Sequence, residues 1–341
     1  MNCPLVSILI PAYNAQDWIS STIESALQQT WPNKEVIIVD DGSKDQTLEV
    51  ARRFASRGVK VVTQANQGAS AARNTAFSLA KGDYIQWFDA DDLLAPDKIE
   101  RQMAVASQCN NKRVLLSGAW GYFFYRQSKA SFSPTSLWSD LSPVEFLCRK
   151  MTHGFHMQPD VWLVSREIAE AAGPWDTRLW RDNDGEYFCR VILACESIRF
   201  VPEARSYYRR AGSGSISFIG RSNKKMDSLL ISMKLHIKYL LSLEDTPRSR
   251  QACVSYINVW ISSFYPQRPD IISELEQLAA NLGGRVEMPK LSWKYSWLQK
   301  LFGPELAKRA QIYLPQLKED AQRAWDRTMF RLENRGIEYS N

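Results

Sequence analysis

The sequence predicts an α/β fold with a mainly parallel central sheet flanked by helices, followed by an α-helical C-terminal region. Three observations carry that prediction. Short β-branched runs alternate with segments of helical period through the N-terminal third; each run ends in a polar turn; and from about Asn223 onward the composition becomes helical. Such alternation implies right-handed crossovers, and hence loops gathered along one edge of a sheet.

Val6 to Ile10 reads as a buried strand. Pro11-Ala12-Tyr13-Asn14-Ala15 turns out of it into a helix from about Asp17 to Gln29, with apolar Trp18, Ile19, Ile23, Ala26 and Leu27. Val36 to Val39 is the second strand and Asp40-Asp41-Gly42 its turn. Ser43 with Gln46 then has the pattern of a capping box, opening a helix that stops at Gly58. The third unit pairs Val59 to Val62 with a helix from about Ala69 to Lys81, for which Gly82 is the expected C-cap. Tyr84 to Phe88 is the fourth strand, and it ends in Asp89, Asp91 and Asp92.

Open α/β sheets bind ligands at the carboxyl ends of their strands, so Asp89 and Asp91 stand where Mg2+ or Mn2+ could be held against a phosphate. The same acids also suit a solvated turn ahead of a helix starting near Pro96. Their company favours a site: Tyr13, Asp40, Asp41, Asn66, Arg73, Asn74, Asp89 and Asp91 all fall in or just after strand-to-helix turns. Neither G-x-G-x-x-G after the first strand nor G-x-x-x-x-G-K-[ST] occurs, which argues against a dinucleotide-binding dehydrogenase and a P-loop NTPase.

With 341 residues the chain has room for two domains, and its formal charge of +6 is spread among acids, which suits anionic small ligands or a membrane surface more than nucleic acid. The six cysteines (Cys3, Cys109, Cys148, Cys189, Cys195, Cys253) show no C-x-x-C pair and no zinc-like spacing, so reduced thiols in a cytoplasmic protein are expected. There is no signal-peptide pattern at the N-terminus and no apolar stretch of membrane-spanning length.

Four ordered segments, Ser7-Ile8-Leu9-Ile10-Pro11-Ala12-Tyr13-Asn14, Val39-Asp40-Asp41-Gly42-Ser43, Asn66-Gln67-Gly68-Ala69-Ser70-Ala71-Ala72-Arg73-Asn74 and Phe88-Asp89-Ala90-Asp91-Asp92, resemble those of family 2 glycosyltransferases of the GT-A fold. The resemblance covers roughly the first two-thirds of the chain. It implies that Pro11, Tyr13 and Asp41 hold a nucleobase, Tyr13 by stacking and Asp41 by accepting an N–H bond, with Arg73 near the nucleotide. It also implies that Asp89-Ala90-Asp91 is a D-x-D motif in which Asp91, helped by Asp89, ligates Mn2+ or Mg2+. From the residues alone, Asp41 remains readable as a helix-entry turn residue and Arg73 as a solvated helix-face charge.

Beyond Asn110 the pattern loosens. Val114 to Phe124 has strand content, Ser131 to Ser142 reads as a loop, and His153 and His156 read as loop or acceptor-side residues without a third metal ligand. Val161 to Arg166 reads as a strand, and a helix is expected over Gly185 to Cys195. In family relatives a Glu-Asp pair stands here, its aspartate six residues before an arginine. That spacing puts Asp184 on the catalytic base and Arg190 on the arginine, while Asn183 replaces the glutamate and Asp182 competes for the base. Asp184 alternatively reads as a helix N-cap. After short strands at Ile198 to Val201 and Ser206 to Tyr208, Arg209 and Arg210 lead a Gly-Ser loop suited either to closing over a diphosphate or to a mobile basic surface.

Helices are expected at Met226 to Leu243, Arg248 to Ser263, Pro269 to Leu282 and Glu305 to Leu332, the last interrupted at Pro315. Residues 291–302 interleave aromatics with lysines, as interfacial helices and packed helices with snorkelling lysines both do. The resulting expectation is a GT-A catalytic domain over 1–220 and a helical region over 221–341. The chain would move a sugar from a nucleotide-sugar donor, a UDP-sugar favoured, to a saccharide or lipid-linked saccharide. It would work in the cytoplasm, at the inner face of the membrane where 291–302 touches it. The competing expectations are a sugar-1-phosphate nucleotidyltransferase, which wants a glycine-rich basic loop after the first strand, and a non-catalytic glycan-binding protein on the same fold.

Overall fold

The computed structural model describes residues 3–109, 111–210, 222–265, 267–287 and 296–334. In chain order its elements are β1 (Val6–Ala12), α1 (Ile19–Leu27), β2 (Lys34–Asp40), α2 (Thr47–Arg52), β3 (Val59–Thr63), α3 (Ala69–Leu79), β4 (Tyr84–Trp87), β5 (Leu93–Leu94), α4 (Lys98–Ala106), β6 (Val114–Phe123), β7 (Ser131–Phe132), α5 (Pro143–His153), β8 (Val164–Ser165), α6 (Arg166–Ala172), α7 (Asn183–Ala194), β9 (Ser197–Arg209), α8 (Asn223–Leu243), α9 (Pro247–Trp260), α10 (Pro269–Asn281) and α11 (Ser296–Asn334).

β1 lies at the centre of a five-stranded sheet of order β3-β2-β1-β4-β8, parallel except at the β8 edge. Its buried side chains alternate between two cores, as the period of a strand dictates. Ile8, Ile10 and Ile38 pack with Ile19 and Ile23 of α1 on one face. Leu9, Ile37, Val39 and Trp87 pack with Ala72 and Ala76 of α3 on the other, in a core that continues through α5 and α7 into α8, α9 and α10. A second sheet, β5-β9-β6-β7, sets β6 parallel to β9 and β5 antiparallel to it. This second sheet grips the residues immediately after the acids of β4.

Several sequence expectations are corrected. The two short strands at Ile198 to Val201 and Ser206 to Tyr208 are one, β9, because pairing with β6 carries across a bulge at Gly118/Ala119. Val161 to Arg166 divides into the end of a 3-10 turn, β8 and the start of α6, whose N-cap is Ser165, accepting from the Ile168 N–H at 3.3 Å. Ser43 and Gln46 form no capping box: Ser43 Oγ instead accepts from the Asn14 N–H at 3.0 Å, and α2 begins only at Thr47. Gly82 does not cap α3, which ends at Leu79; it is packed so tightly on β1 that a Cβ would stand 2.6 Å from the Ser7 nitrogen. α11 runs through Pro315, an exposed residue, without a break.

α11 is fastened to the body by its C-terminal half. Asp326 accepts from the backbone N–H groups of Tyr125 and Arg126 at 2.9 and 3.1 Å and from Arg126 Nε at 2.7 Å, and Arg126 also meets Glu333.

Candidate active site

The turns after β1, β2 and β3 interlock. Tyr13 is exposed at the end of β1, and Asn14 beside it takes a positive φ of 48°, its Oδ1 accepting from the Lys44 N–H. Asp40 and Asp41 are both buried. Asp40 accepts from Ser43 and Thr63, while Asp41 accepts from the N–H groups of Gln67 and Gly68 at 2.9 and 2.7 Å and from Gln64 Nε2 at 2.8 Å. The Asp41 carboxylate therefore shapes the 64–68 loop and keeps little capacity beyond it. Gly42 is obligatory here: its φ is +70°, and a Cβ would come 2.9 Å from the Asn66 nitrogen.

The acid loop after β4 is held from three sides. Thr22 of α1 donates to the carbonyls of Ala90 and Asp92 at 3.0 and 2.9 Å. The Arg209 N–H donates to Asp92 Oδ1 at 2.7 Å, and Arg209 Nε to the Asp91 carbonyl at 2.7 Å. Arg73 Nη2 meets Asp89 Oδ1 at 2.7 Å, with its guanidinium 4.3 Å above the Trp175 ring. Arg73 is buried with Nε and Nη1 unpartnered, so it has donors to spare.

Arg209 is sandwiched between Trp18 and Phe123, 4.3 and 4.4 Å from the ring centroids, and its Nη1 donates to the Phe124 carbonyl. Burial lowers its pKa to about 10 even against the pull of Asp91 and Asp92. Its place is that of a brace for the acid loop. Arg210, beside it, lies 3.9 Å over the Tyr122 ring. The Gly-Ser loop that follows lies outside the described residues.

Electrostatically the loop is under pressure. Burial first, and then repulsion from Asp89, push the Asp91 carboxyl up to about 7, with Arg209 opposing. Behind it sits a residue that sequence reasoning missed. Asp160 is fully buried with neither oxygen hydrogen-bonded, and burial raises it to about 7 although Lys98 favours its charge. Lys98, also fully buried, bonds Gln86 and is lowered to about 7 by burial. No sequence signal marks this pair, since Asp160 arrives from a segment more than fifty positions downstream of α4.

On the other side, Asp182 and not Asp184 occupies the N-cap of α7, at a positive φ of 55°. The expectation of Asp184 as N-cap is thus corrected: it lies in the first turn. Asp182 is turned inward, where its carboxylate takes a bond from Ser232 of α8 at 2.5 Å and lies 3.7 Å from His236 Nδ1. Gly185 must be glycine because a Cβ there would collide with the Asp182 carboxylate. Asp184 keeps a side chain 22% exposed and faces His156, Nε2 to Oδ2 3.5 Å. Arg190 is committed to Glu186 at 2.8 and 2.9 Å and to the Ala172 carbonyl, which locks α7 to α6.

α3 joins the two acid clusters. Asn183 Nδ2 donates to Ser70 Oγ at 3.1 Å, and the Asn183 Oδ1 accepts from the Asp184 N–H at 2.8 Å. Asn74 exchanges two bonds with the Trp175 backbone, at 2.9 and 2.8 Å. From the same helix Arg73 reaches Asp89, so the elements carrying Asp184 and Asp89 are anchored on one rigid body.

Carboxylates at the carboxyl ends of β2 and β4, on a mixed sheet flanked by helices, belong to the GT-A-like class of folds. Residues 1–349 of S. aureus TarS, solved in complex with UDP-GlcNAc, share it with a TM-score of 0.66 at 17% identity, covering 81% of this chain and 81% of that one. Residues 7–172 match the model described as Glycosyl transferase family 2, and that part of the chain belongs to the family. An uncharacterized glycosyltransferase of Haemophilus influenzae is 39% identical over 125 residues, 36% of this chain and 49% of that protein. The uncharacterized glycosyltransferase EpsJ of Bacillus subtilis is 31% identical over 218 residues, 60% of this chain and 61% of that protein. The chain thus spans about half the length of the first of these relatives and about three-fifths of the second.

Proposed function

We propose that this chain is an inverting, metal-dependent glycosyltransferase of surface-glycan synthesis, moving a sugar from a nucleotide-diphosphate sugar, a UDP-sugar favoured, to a hydroxyl of a saccharide or lipid-linked saccharide. Residues 1–220 form the catalytic domain in this reading and 221–341 a helical region built onto it. The solved TarS complex with UDP-GlcNAc supports the donor class. The observation that carries the reading is the Asp89–Asp91 pair. Two carboxylates share one loop end, and their mutual repulsion and burial leave Asp91 wanting either a proton or a cation.

The donor set fits Mg2+ or Mn2+. It offers oxygen only, and among the described residues no group of three or more His, Cys, Asp or Glu could enclose an ion, which leaves most of the coordination to phosphate and water. Asp91 with Asp89 would hold the ion, whose chemistry here is to neutralise charge growing on the departing diphosphate. Tyr13 supplies an exposed ring for the base, with Pro11, Asp41 and Ala90 forming the floor of its pocket. Arg73, donors to spare, stands beside the diphosphate, and Arg209 keeps the acid loop in place. Asp184 takes the acceptor proton as that oxygen attacks the anomeric carbon from the face opposite the diphosphate, and the bond to the diphosphate breaks with inversion.

Among the described residues no helix is long and apolar enough to cross a membrane. The proposed site of action is the cytoplasm at the inner membrane face. Most of the 291–302 segment expected to touch that face lies outside the described residues and side chains. Titration of UDP and GDP against the wild type and Asp91→Ala, with Mn2+ and with EDTA, tests the metal bridge. Affinity is expected to fall at least about tenfold when either the ion or Asp91 is removed, and no further when both are. Equal affinity in all four conditions would remove the bridge.

A further inference from the structure

The segment between α5 and the 3-10 turn Pro159–Val161 is fixed at both ends. Gly154 closes α5 in the left-handed region at φ +65°, the Phe155 N–H bonds the Lys150 carbonyl at 3.1 Å, and Met157 and Gln158 are buried. His156 stands between these anchors with its side chain 43% exposed and its Nε2 3.5 Å from Asp184 Oδ2. Lys150 of α5 lines the same narrow cleft, and the charge of Asp184 is felt by Arg181, just ahead of α7, and by the buried His236 of α8 and Tyr256 of α9. His156 is the basic side chain brought within ion-pair distance of that carboxylate among the described residues.

We propose that His156 is a positioning residue that acts through Asp184; the inference rests on the reading of Asp184 as the base. The 3.5 Å contact is longer than a good hydrogen bond; closing it by a few tenths of an ångström lets a protonated Nε2 donate to Oδ2 and fix the carboxylate plane, leaving Oδ1 for the acceptor hydroxyl. With the imidazole charged, the contact becomes an ion pair, and the carboxylate gives up part of its affinity for the acceptor proton. Transfer therefore weakens as the imidazole takes up its proton.

Two substitutions separate the halves of the proposal. His156→Gln keeps an N–H donor and removes the titration; His156→Phe removes both. His156→Gln is expected to hold kcat at the alkaline end within about twofold of wild type and to lose the acid-side decline, whereas His156→Phe drops kcat about tenfold with KM for the donor unchanged. A readout free of turnover accompanies these: the NMR signals of the His156 ring should shift in Asp184→Asn, because the ring faces that carboxylate at 3.5 Å. A His156→Phe enzyme with wild-type kcat and pH profile overturns the proposal, as do ring signals indifferent to Asp184→Asn. The two readings fail differently. An active Asp184→Asn enzyme removes the base itself, whereas a silent Asp184→Asn beside a fully active His156→Phe leaves the base standing and removes only its partner.

Discussion

Asp91 and Asp184 both lie just beyond an element boundary, yet the molecule treats them differently. Asp91 sits in a loop clamped by Thr22, Arg73 and Arg209, backed by buried Asp92 and Asp160, where carboxylates crowd one another. Asp184 lies in the first turn of α7 with solvent access and a half-exposed imidazole as its nearest basic partner. The comparison teaches a division of labour. In the proposed function, rigidity and repulsion on the donor side are what a cation and a diphosphate would relieve. On the proposed acceptor side the carboxylate is left reachable, and the rigidity is moved back to Asp182, buried against α8.

That division breaks first, and most visibly, at Asp184, the proposed base. Asp184→Asn should lower turnover by about two orders of magnitude or more with donor affinity retained, measured as kcat alongside UDP binding. Asp182→Asn should instead lower the unfolding temperature, since it disturbs the Ser232 and His236 contacts while leaving the base intact. If a folded Asp182→Asn protein is silent and Asp184→Asn is active, the roles are exchanged and the base is Asp182.

The buried backing of the acceptor side can be read by pH. His236 bonds the Tyr256 hydroxyl at 2.6 Å, and burial lowers its pKa to about 3 from 6.5. It is neutral in the fold, whereas the unfolded chain takes up a proton below about 6.5, so stability is complete above that value and declines as pH falls toward 3. At pH 5 the loss amounts to about 2 kcal/mol. Denaturant unfolding of His236→Gln at pH 7 and pH 5 should show a correspondingly smaller difference than wild type, and an equal difference would mean that the ring is not held neutral.

The smallest effect sharpens the donor side. Thr22→Val removes a hydroxyl that serves two carbonyls of the acid loop, and should lower unfolding free energy by about 1 kcal/mol, with UDP affinity in Mn2+ reduced no more than a few-fold. A loss of binding as large as that of Asp91→Ala would show that loop position, not ligation, dominates.

The parallel half of the fold was legible because its signals are local. Four β-branched runs with four polar turns announce four parallel strands, and Asp89 and Asp91 announce themselves by following one of them. What escaped depends on partners distant in the chain. β9 is continuous only because β6 lies beside it across a bulge, and β8 is shorter than the strand expected over Val161 to Arg166 because a 3-10 turn precedes it and α6 starts at Arg166. Ser43 and Gln46 carry a capping pattern, but Asn14, from the preceding turn, claims the serine first. Asp160 and Lys98 are ordinary polar letters until folding buries both. His156 was placed on the acceptor side by the sequence, but its pairing with Asp184 spans a loop that no periodicity describes.

The anchoring of α11 has a consequence in time. The carbonyl of Phe124 braces Arg209, and the two residues after it wait for Asp326, separated from Tyr125 by 201 positions in the chain. At about 5 to 20 residues per second of synthesis, some 10 to 40 seconds pass between making that loop and making the carboxylate that fastens it. A nascent chain on the ribosome therefore holds the acid motif before it holds the carboxylate that fastens the loop beside Arg209.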